Sequence, residues 1–447
     1  MKKMKKINKM ILSALIPIFI CSPVSAERID MTLDEGVKLA LERSYSIEES
    51  AADLDSAYWR LRETRRNTGL NFSWSTSANA VGGKAYNGWG HREFSNQLSA
   101  TMPIYTGGKS TNDIKSARLG LSGAELILER TKQEVRYAIA ADYYNILKCR
   151  NQIDVYRESL RNLQAHLDNV KIKVLAGTVA EKDILSSEVS LAHGKQNLVT
   201  AINDYNVAVA TFNKDVGLPT ETETVASESL EYKNYHLDLN ECEEYALLYR
   251  PDLFQKEYAL LQSKAEVESA KAGTRPQVDA SASKTFAGDA PFKSNQDNSD
   301  SWKVGISANW NIFDNQVTKA QVNQRKAAVR RAEAELNDKI NDVKLEVRTA
   351  FLNLQAAEEN IQTMKEALAQ ADEDYRIEIV SYEAGVATNL EVMDAEEKLV
   401  SAKSDYNSAL YNYNTAKASL DKAMGIPIDL DIVPYRTEIE ENAEKGE

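Results

Sequence analysis

Residues 302–313 read Trp-Lys-Val-Gly-Ile-Ser-Ala-Asn-Trp-Asn-Ile-Phe. Val304, Ile306, Ala308, Trp310 and Ile312 alternate with Lys303, Ser307, Asn309 and Asn311. A period of two places apolar groups on one face of a strand and polar groups on the other. The run 94–104 does the same, with Leu98, Ala100, Met102 and Ile104 set against Gln97, Ser99 and Thr101. Shorter alternating runs precede both: Leu70, Phe72 and Trp74 against Asn71, Ser73 and Ser75, and Val278, Ala280 and Ala282 against Gln277, Asp279 and Ser281. The intervening segments, 81–93 and 287–301, are rich in Gly, Asn, Asp and Ser, as exposed loops are. Two hairpins, and so four strands per chain, are expected. Alternation alone fits a half-buried soluble sheet equally well, so the context of the strands has to decide.

The chain repeats itself. Pro103-Ile104-Tyr105 matches Asn311-Ile312-Phe313, Tyr143-Tyr144-Asn145 matches Phe351-Leu352-Asn353, Ala176-Gly177 matches Ala384-Gly385, and Gly217-Leu218-Pro219 matches Gly425-Ile426-Pro427, all 208 residues apart. Upstream, 33–47 matches 239–253 and 70–75 matches 276–281 at an offset of 206. Two copies of one unit indicate a duplicated protomer rather than a solenoid. The expected divisions are a signal peptide over 1–26, a first repeat over 27–219, a linker over 220–238, a second repeat over 239–427 and an acidic tail over 428–447. Within each copy the expected order is short helix, strand, loop, strand, very long helix, helix.

Leu336, Ile340, Val343, Val347, Ala350, Leu354, Ala357, Ile361, Met364, Leu368, Ala371 and Tyr375 step by four and three without a break, which is a coiled-coil seam. The first copy repeats it from Val135 to Val174, with Asp142 as the one polar intruder. A second seam, alanine-rich, runs from Val392 to Ala423 and is echoed from Ile184 to Phe212. Gly177 and Gly385 read as helix stops, and Thr178–Glu181 and Thr388–Glu391 as capping boxes opening the next helix. Helices from about 111 to 176 and from 316 to 384 would each run roughly 100 Å at 1.5 Å per residue.

Five lysines among the first nine residues, an apolar run from Met10 to Ile20 and Val24-Ser25-Ala26 predict a secretory signal peptide cleaved after Ala26. Ile20 stands before Cys21 where a lipid-attachment site needs a small residue, so lipidation is a minor alternative. Cleavage removes five lysines and no acid, taking the formal charge from -13 to -18, which argues against a nucleic-acid partner. No later apolar stretch approaches the roughly 18 residues of a spanning helix. A mature chain that crosses a membrane must therefore do so with strands. About eleven residues per strand suits a tilted spanning strand, and Phe72, Trp74, Phe94, Trp302, Trp310 and Phe313 could form interface girdles. Leu98, Met102, Ile306 and Trp310 are then the lipid-facing candidates. Four strands cannot close a barrel, and an open edge in lipid leaves backbone groups without partners. Two chains would give about eight strands with a filled interior, three about twelve with room for a channel.

The signal peptide, the duplicated unit and the turns Ala-Gly-Thr-Val-Ala-Glu-Lys-Asp-Ile-Leu (176–185) and Ala-Gly-Val-Ala-Thr-Asn-Leu-Glu-Val-Met-Asp-Ala (384–395) resemble the TolC family of outer-membrane efflux proteins over nearly all of the mature chain. The resemblance implies a membrane β-barrel plus a long α-helical coiled-coil tunnel: a homotrimer with a 12-stranded barrel in outer-membrane lipid and the tunnel in the periplasm. It also implies docking to a periplasmic adaptor (membrane fusion) protein and an inner-membrane transporter. Docking would use the helical turns at Gly177, Thr178, Gly385 and Thr388. Matching motifs puts the acidic aperture positions on Glu391, Asp394 and Asp183 and the linking tyrosine on Tyr382, while the family's linking arginine falls on Ala387. Glu391 has a second reading as a cap and Tyr382 as a packing residue seven after Tyr375. The tail after Asp429, with 220–238, would form a belt around the tunnel's middle.

Gly107-Gly108-Lys109-Ser110 mimics the end of a phosphate-binding loop, but Pro103 stands where its first glycine belongs. After cleavage only Cys149 and Cys242 remain, with Cys149 read as a small buried side chain, and His91, His166, His193 and His236 are scattered and read as solvated or interface groups without metal spacing. No catalytic constellation or cofactor is indicated. The rival to a duct is a secreted coiled-coil scaffold or adhesion protein whose strands pack in a soluble head.

Overall fold

The computed structural model describes residues 28–82, 91–288 and 300–444. The expected signal peptide, Cys21 and most of both hairpin loops lie outside the described residues. In the first copy β1 (Arg28–Met31) leads into α1 (Leu33–Arg43) and α2 (Tyr45–Arg66), then β2 (Asn71–Val81), β3 (His91–Tyr105), α3 (Lys109–Leu175) and α4 (Lys182–Val216). The second copy gives β4 (Glu223–Ala226), α5 (Leu239–Tyr249), α6 (Pro251–Lys271), β5 (Gln277–Gly288), β6 (Asp300–Asn309), α7 (Val317–Glu383) and α8 (Asn389–Met424), and α9 (Val433–Glu444) follows.

The single leading helix expected in each copy is two. Thr32 and Glu35 form a capping box on α1, and the chain breaks at extended Ser44 before α2. In the second copy Asp238 caps α5, and extended Arg250 precedes Pro251, whose missing N–H costs nothing at a helix start. Sequence gave no sign of the parallel pair β1–β4, which ties the start of one copy to the start of the other.

β2, β3, β5 and β6 form one antiparallel sheet in that order, with β2 and β6 at its edges. The register sets Trp74 opposite Leu98, Leu98 opposite Lys284, Met102 opposite Ala280 and Ala280 opposite Ile306. Apolar positions therefore share one face across all four strands. α3 and α7 are each 67 residues long, roughly 100 Å. α3 packs against α2 and α6 in the half nearer the sheet and against α4 and α8 beyond it, while α7 packs against α6 and α8.

The expected seams are the core. Ile139, Ile146, Ile153 and Val170 on α3, Val343, Val347, Leu354 and Ile361 on α7, and Val392, Leu399, Tyr413 and Leu420 on α8 are buried. Asp142, the intruder, shares a hydrogen bond with Asp215 of α4, and burial with that neighbouring carboxylate pushes its pKa up to about 7. Arg250 is wholly buried and donates to Asp252 Oδ2 at 2.6 Å, Glu346 Oε2 at 2.7 Å and the Ala423 carbonyl at 3.0 Å, joining the α5–α6 junction to α7 and α8. Cys149 is half-buried rather than buried, and it and Cys242 are free thiols. Over 433–444 the tail forms α9, which lies on α6, with Tyr258 donating to Glu438 and Ile432 packed on Leu119, Leu126 and Phe254.

Candidate functional site

Two features at opposite ends of the long helices carry the chemistry. The first is the sheet. Leu98, Met102, Ile306 and Trp310 all stand exposed on its apolar face, with Trp302 75 %, Val304 70 % and Ile306 73 % accessible. Surfaces of this kind on a soluble protein mark contact with something apolar. Trp302 on β6 and Trp310, the residue just past its end, bound the face eight residues apart, roughly 27 Å at 3.4 Å per residue. That is the scale of a hydrocarbon band once strands tilt. Trp310 Nε1 donates to the Thr274 carbonyl at 3.0 Å, fixing the ring at the end nearer the helices. The opposite face presents Ser73, Ser75, Ser99, Thr101, Ser281, Ser283 and Ser307, with Ser73 and Ser99 hydrogen-bonded across the hairpin at 2.7 Å.

The second feature is the pair of turns at the far end. Gly177 (φ +76°) and Gly385 (φ +83°) take the left-handed conformation that closes a helix, and nothing lies within 4 Å of a Cβ built on either. Backbone conformation, rather than space, selects glycine there. Thr178 N–H donates to the Lys173 carbonyl at 3.0 Å and Val386 N–H to the Ser381 carbonyl at 2.9 Å, the same closure in both copies.

The following helix starts differ. Thr388 and Glu391 form the expected capping box, Glu391 Oε2 accepting from Thr388 N–H at 2.6 Å. That backbone bond holds the Glu391 carboxyl below its ordinary pKa. The box expected at Thr178–Glu181 does not form. The repeat offset aligns Thr388 with Ala180, which has no capping oxygen, and the Thr178 hydroxyl instead donates back to the Lys173 carbonyl at 3.0 Å.

Asp394 is exposed on α8, and Asp183 is half-buried at the start of α4. Tyr382 is buried, 2 % accessible, among Val170, Val392 and Ala387, and its hydroxyl has no partner among the described residues. Burial and the Asp183 charge raise its pKa. Lys173 Nζ lies 4.1 Å from the Tyr382 ring centre and donates to the Tyr382 carbonyl, while the His166 ring is 5.0 Å away. His166 is thus buried, not solvated: Nε2 meets Asn389 Oδ1 at 2.7 Å, and burial lowers its pKa. Asn389 Oδ1 also accepts from Ser187 at 3.2 Å, so one amide joins α3, α4 and α8. Glu396, buried about two turns further along α8, accepts from Asn162 at 3.3 Å. Asn389, Ser187, Lys173 and Glu396 escaped the sequence reading. The only signal was their place beside seam positions.

Among the described residues no helix is long and apolar enough to cross a membrane, and no group of three or more His, Cys, Asp or Glu side chains could hold a metal. Residues 36–217 and 244–426 match the family profile described as outer membrane efflux protein. The chain is 23% identical over 412 residues to outer membrane protein TolC of Escherichia coli K12, covering 87% of this chain and 80% of the relative. It is 25% identical over 380 residues to the cation efflux system protein CusC of the same organism, covering 83% and 80%. The crystal structure of the Campylobacter jejuni CmeC outer membrane channel superposes with a TM-score of 0.78 at 16% identity, over 92% of this chain and 89% of that one. Both repeats are covered, each by its own match, and the chain belongs to the outer membrane efflux protein family.

Proposed function

We propose that the chain is one protomer of a homotrimeric exit duct that passively conducts export cargo across the outer membrane and is not an enzyme. The observation that carries this is the four-stranded sheet, with one exposed apolar face bounded by tryptophans and two edge strands, β2 and β6, that have no partner on their outer sides among the described residues. In lipid such edges must pair, and three chains give a twelve-stranded barrel wide enough for a lumen. Leu98, Met102, Ile306 and Trp310 then touch lipid, and the hydroxyl and amide face lines the channel. The long helices continue as the periplasmic tunnel.

At the far end, Asp394 carries the aperture charge, with Asp183 the secondary candidate. Glu391 is committed to capping α8 and Tyr382 to packing, and with Ala387 in place of an arginine the tyrosine has no guanidinium to lock against. Three Asp394 carboxylates related by symmetry attract cations. The turns at Gly177, Thr178, Gly385 and Thr388 dock a periplasmic adaptor, which links the duct to an inner-membrane transporter. CusC is named for cation efflux, but a wall of serines, threonines and amides here selects no cargo, so selection rests with the transporter.

Planar-bilayer conductance of the purified mature protein tests this. Large cation-preferring events that lose their preference in Asp394→Ala but keep it in Glu391→Ala support the duct and its aperture. Equal preference in all three keeps the duct and removes the aperture assignment. Folded protein giving neither channels nor detergent-resistant trimers returns the chain to the scaffold class.

A further inference from the structure

Just beyond the sheet, α2, α3, α6 and α7 enclose a groove of about 1000 Å³ whose charged lining is balanced: Asp53, Asp113 and Glu266 face Arg60, Lys109 and Arg325. The outside of the same four helices is not balanced. At 100° per residue, Arg65, Lys115, Arg118, Lys264, Lys326 and Arg330 lie roughly 130–180° around their helices from the groove-lining positions. All six are exposed. None makes an ion pair or a side-chain hydrogen bond with a described residue. All lie within about 20 Å of the strand ends at 1.5 Å per residue.

The chain as a whole carries -13. At the other end of α7 the sign reverses, Asp372, Glu373, Asp374, Glu378 and Glu383 outnumbering Arg376. Unpaired positive charge is thus in excess on the outward side where the helices meet the sheet, whereas the groove side holds Arg60 alone without an ion pair among the described residues. Arg62 adds a related feature: its guanidinium lies 5.6 Å from the Tyr58 ring centre and 5.1 Å from that of Trp59, and both rings are exposed. Exposed Trp and Tyr beside arginine suit the headgroup level of a bilayer.

We propose that these side chains form a basic collar that binds anionic phospholipid headgroups of the leaflet facing the helices. The proposal rests on the reading that the sheet spans a bilayer, with Trp310 at the helical end of its apolar band. Phosphates of that leaflet then lie directly against the collar, and the balanced groove inside is shielded from them. Each lysine or arginine near an anionic surface adds an attraction that decays within a Debye length. The collar would resist sliding and tilting of the barrel where the tunnel levers on it.

The mature protein is reconstituted in equimolar phosphatidylglycerol and phosphatidylcholine, re-extracted in mild detergent, and its co-purifying lipids are quantified by mass spectrometry, with conductance measured on the same preparation. Phosphatidylglycerol is expected to be enriched roughly fivefold at low salt. Enrichment should fall towards parity in Lys115→Gln/Arg118→Gln/Lys326→Gln/Arg330→Gln and in the wild type at high salt, and persist in Arg118→Lys/Arg330→Lys. Conducting wild type that retains both lipids equally overturns the collar alone, as does enrichment indifferent to salt. Absence of conductance in any lipid overturns the duct reading. The salt arm needs no variant, so misfolding of the quadruple variant leaves the proposal exposed to refutation.

Discussion

α3 and α7 have the same length, the same seam and the same place in their repeats, yet α3 buries fifteen residues and α7 seven. Between Val317 and Asp342, α7 buries only Thr318, whereas the matching stretch of α3 buries Leu119, Gly123, Leu126, Glu129 and Gln133. α3 has helices on both sides, and α7 stands at the edge of its layer. Its outer side leaves Leu345, Leu352, Ile377 and Val380 exposed, while α4 at the opposite edge leaves Leu185, Val189, Val199 and Val207 exposed. One periodicity thus serves two fates, and the missing burial on α7 measures a surface that belongs, on the trimer reading, against α4 of the next chain.

The sharpest way to break this comparison is to put the same charge on both helices. Leu126→Asp on α3 buries an unpaired carboxylate at a site with no accessibility and should cost about 4 kcal/mol or more, leaving no cooperative unfolding transition by circular dichroism. Leu352→Asp on α7 should leave monomer helicity intact and abolish detergent-resistant trimers on gels. Equal damage to the monomer from both would remove the distinction. On the side of α7 that does face its own chain, Arg250→Met removes the guanidinium between Asp252 and Glu346 but leaves them Lys339, Arg130 and Lys422, and should lower stability by about 2–3 kcal/mol in denaturant titrations.

Asp142 sharpens the comparison through pH. Its equivalent on α7 is Ala350, and the equivalent of Asp215 is Ala423, both buried. With a folded pKa near 7, well above the ordinary 3.8, the folded state holds a proton that the unfolded state has released. Stability therefore falls as pH rises from about 4 to 7, by about 1–2 kcal/mol after allowance for partial exposure. Asp142→Asn should match the wild type in thermal melts at pH 4 and exceed it at pH 8. The smallest effect lies at the turns: Thr388→Ala should cost about 1 kcal/mol and Thr178→Ala only a few tenths, read from chemical denaturation.

Features set by local spacing were legible in the sequence. The long helices begin and end within two residues of the expected bounds, the strands fall on the alternating runs, and both turn glycines and the Thr388–Glu391 box are where they were read. Features set by a distant partner were not. His166 meets Asn389 223 residues away, and β1 has no pattern of its own beyond the four residues it pairs with β4. The Thr178 box failed for a reason the repeat itself contained, since alignment at 208 put Ala180 at the capping position. Pro251 could likewise have marked the division between α5 and α6.

The polar face of the sheet has a kinetic consequence. Serine and threonine hydroxyls donate and accept alike, and with amides they recur every second residue along much of β2, β3 and β5, while Asp279 and Lys303 are fixed charges on the same face. A molecule moving along such a wall exchanges one hydrogen bond for an equivalent one at each rung, so its free-energy profile is nearly level. On the duct reading, transit along this wall is then governed by friction and by the driving gradient rather than by a residence site.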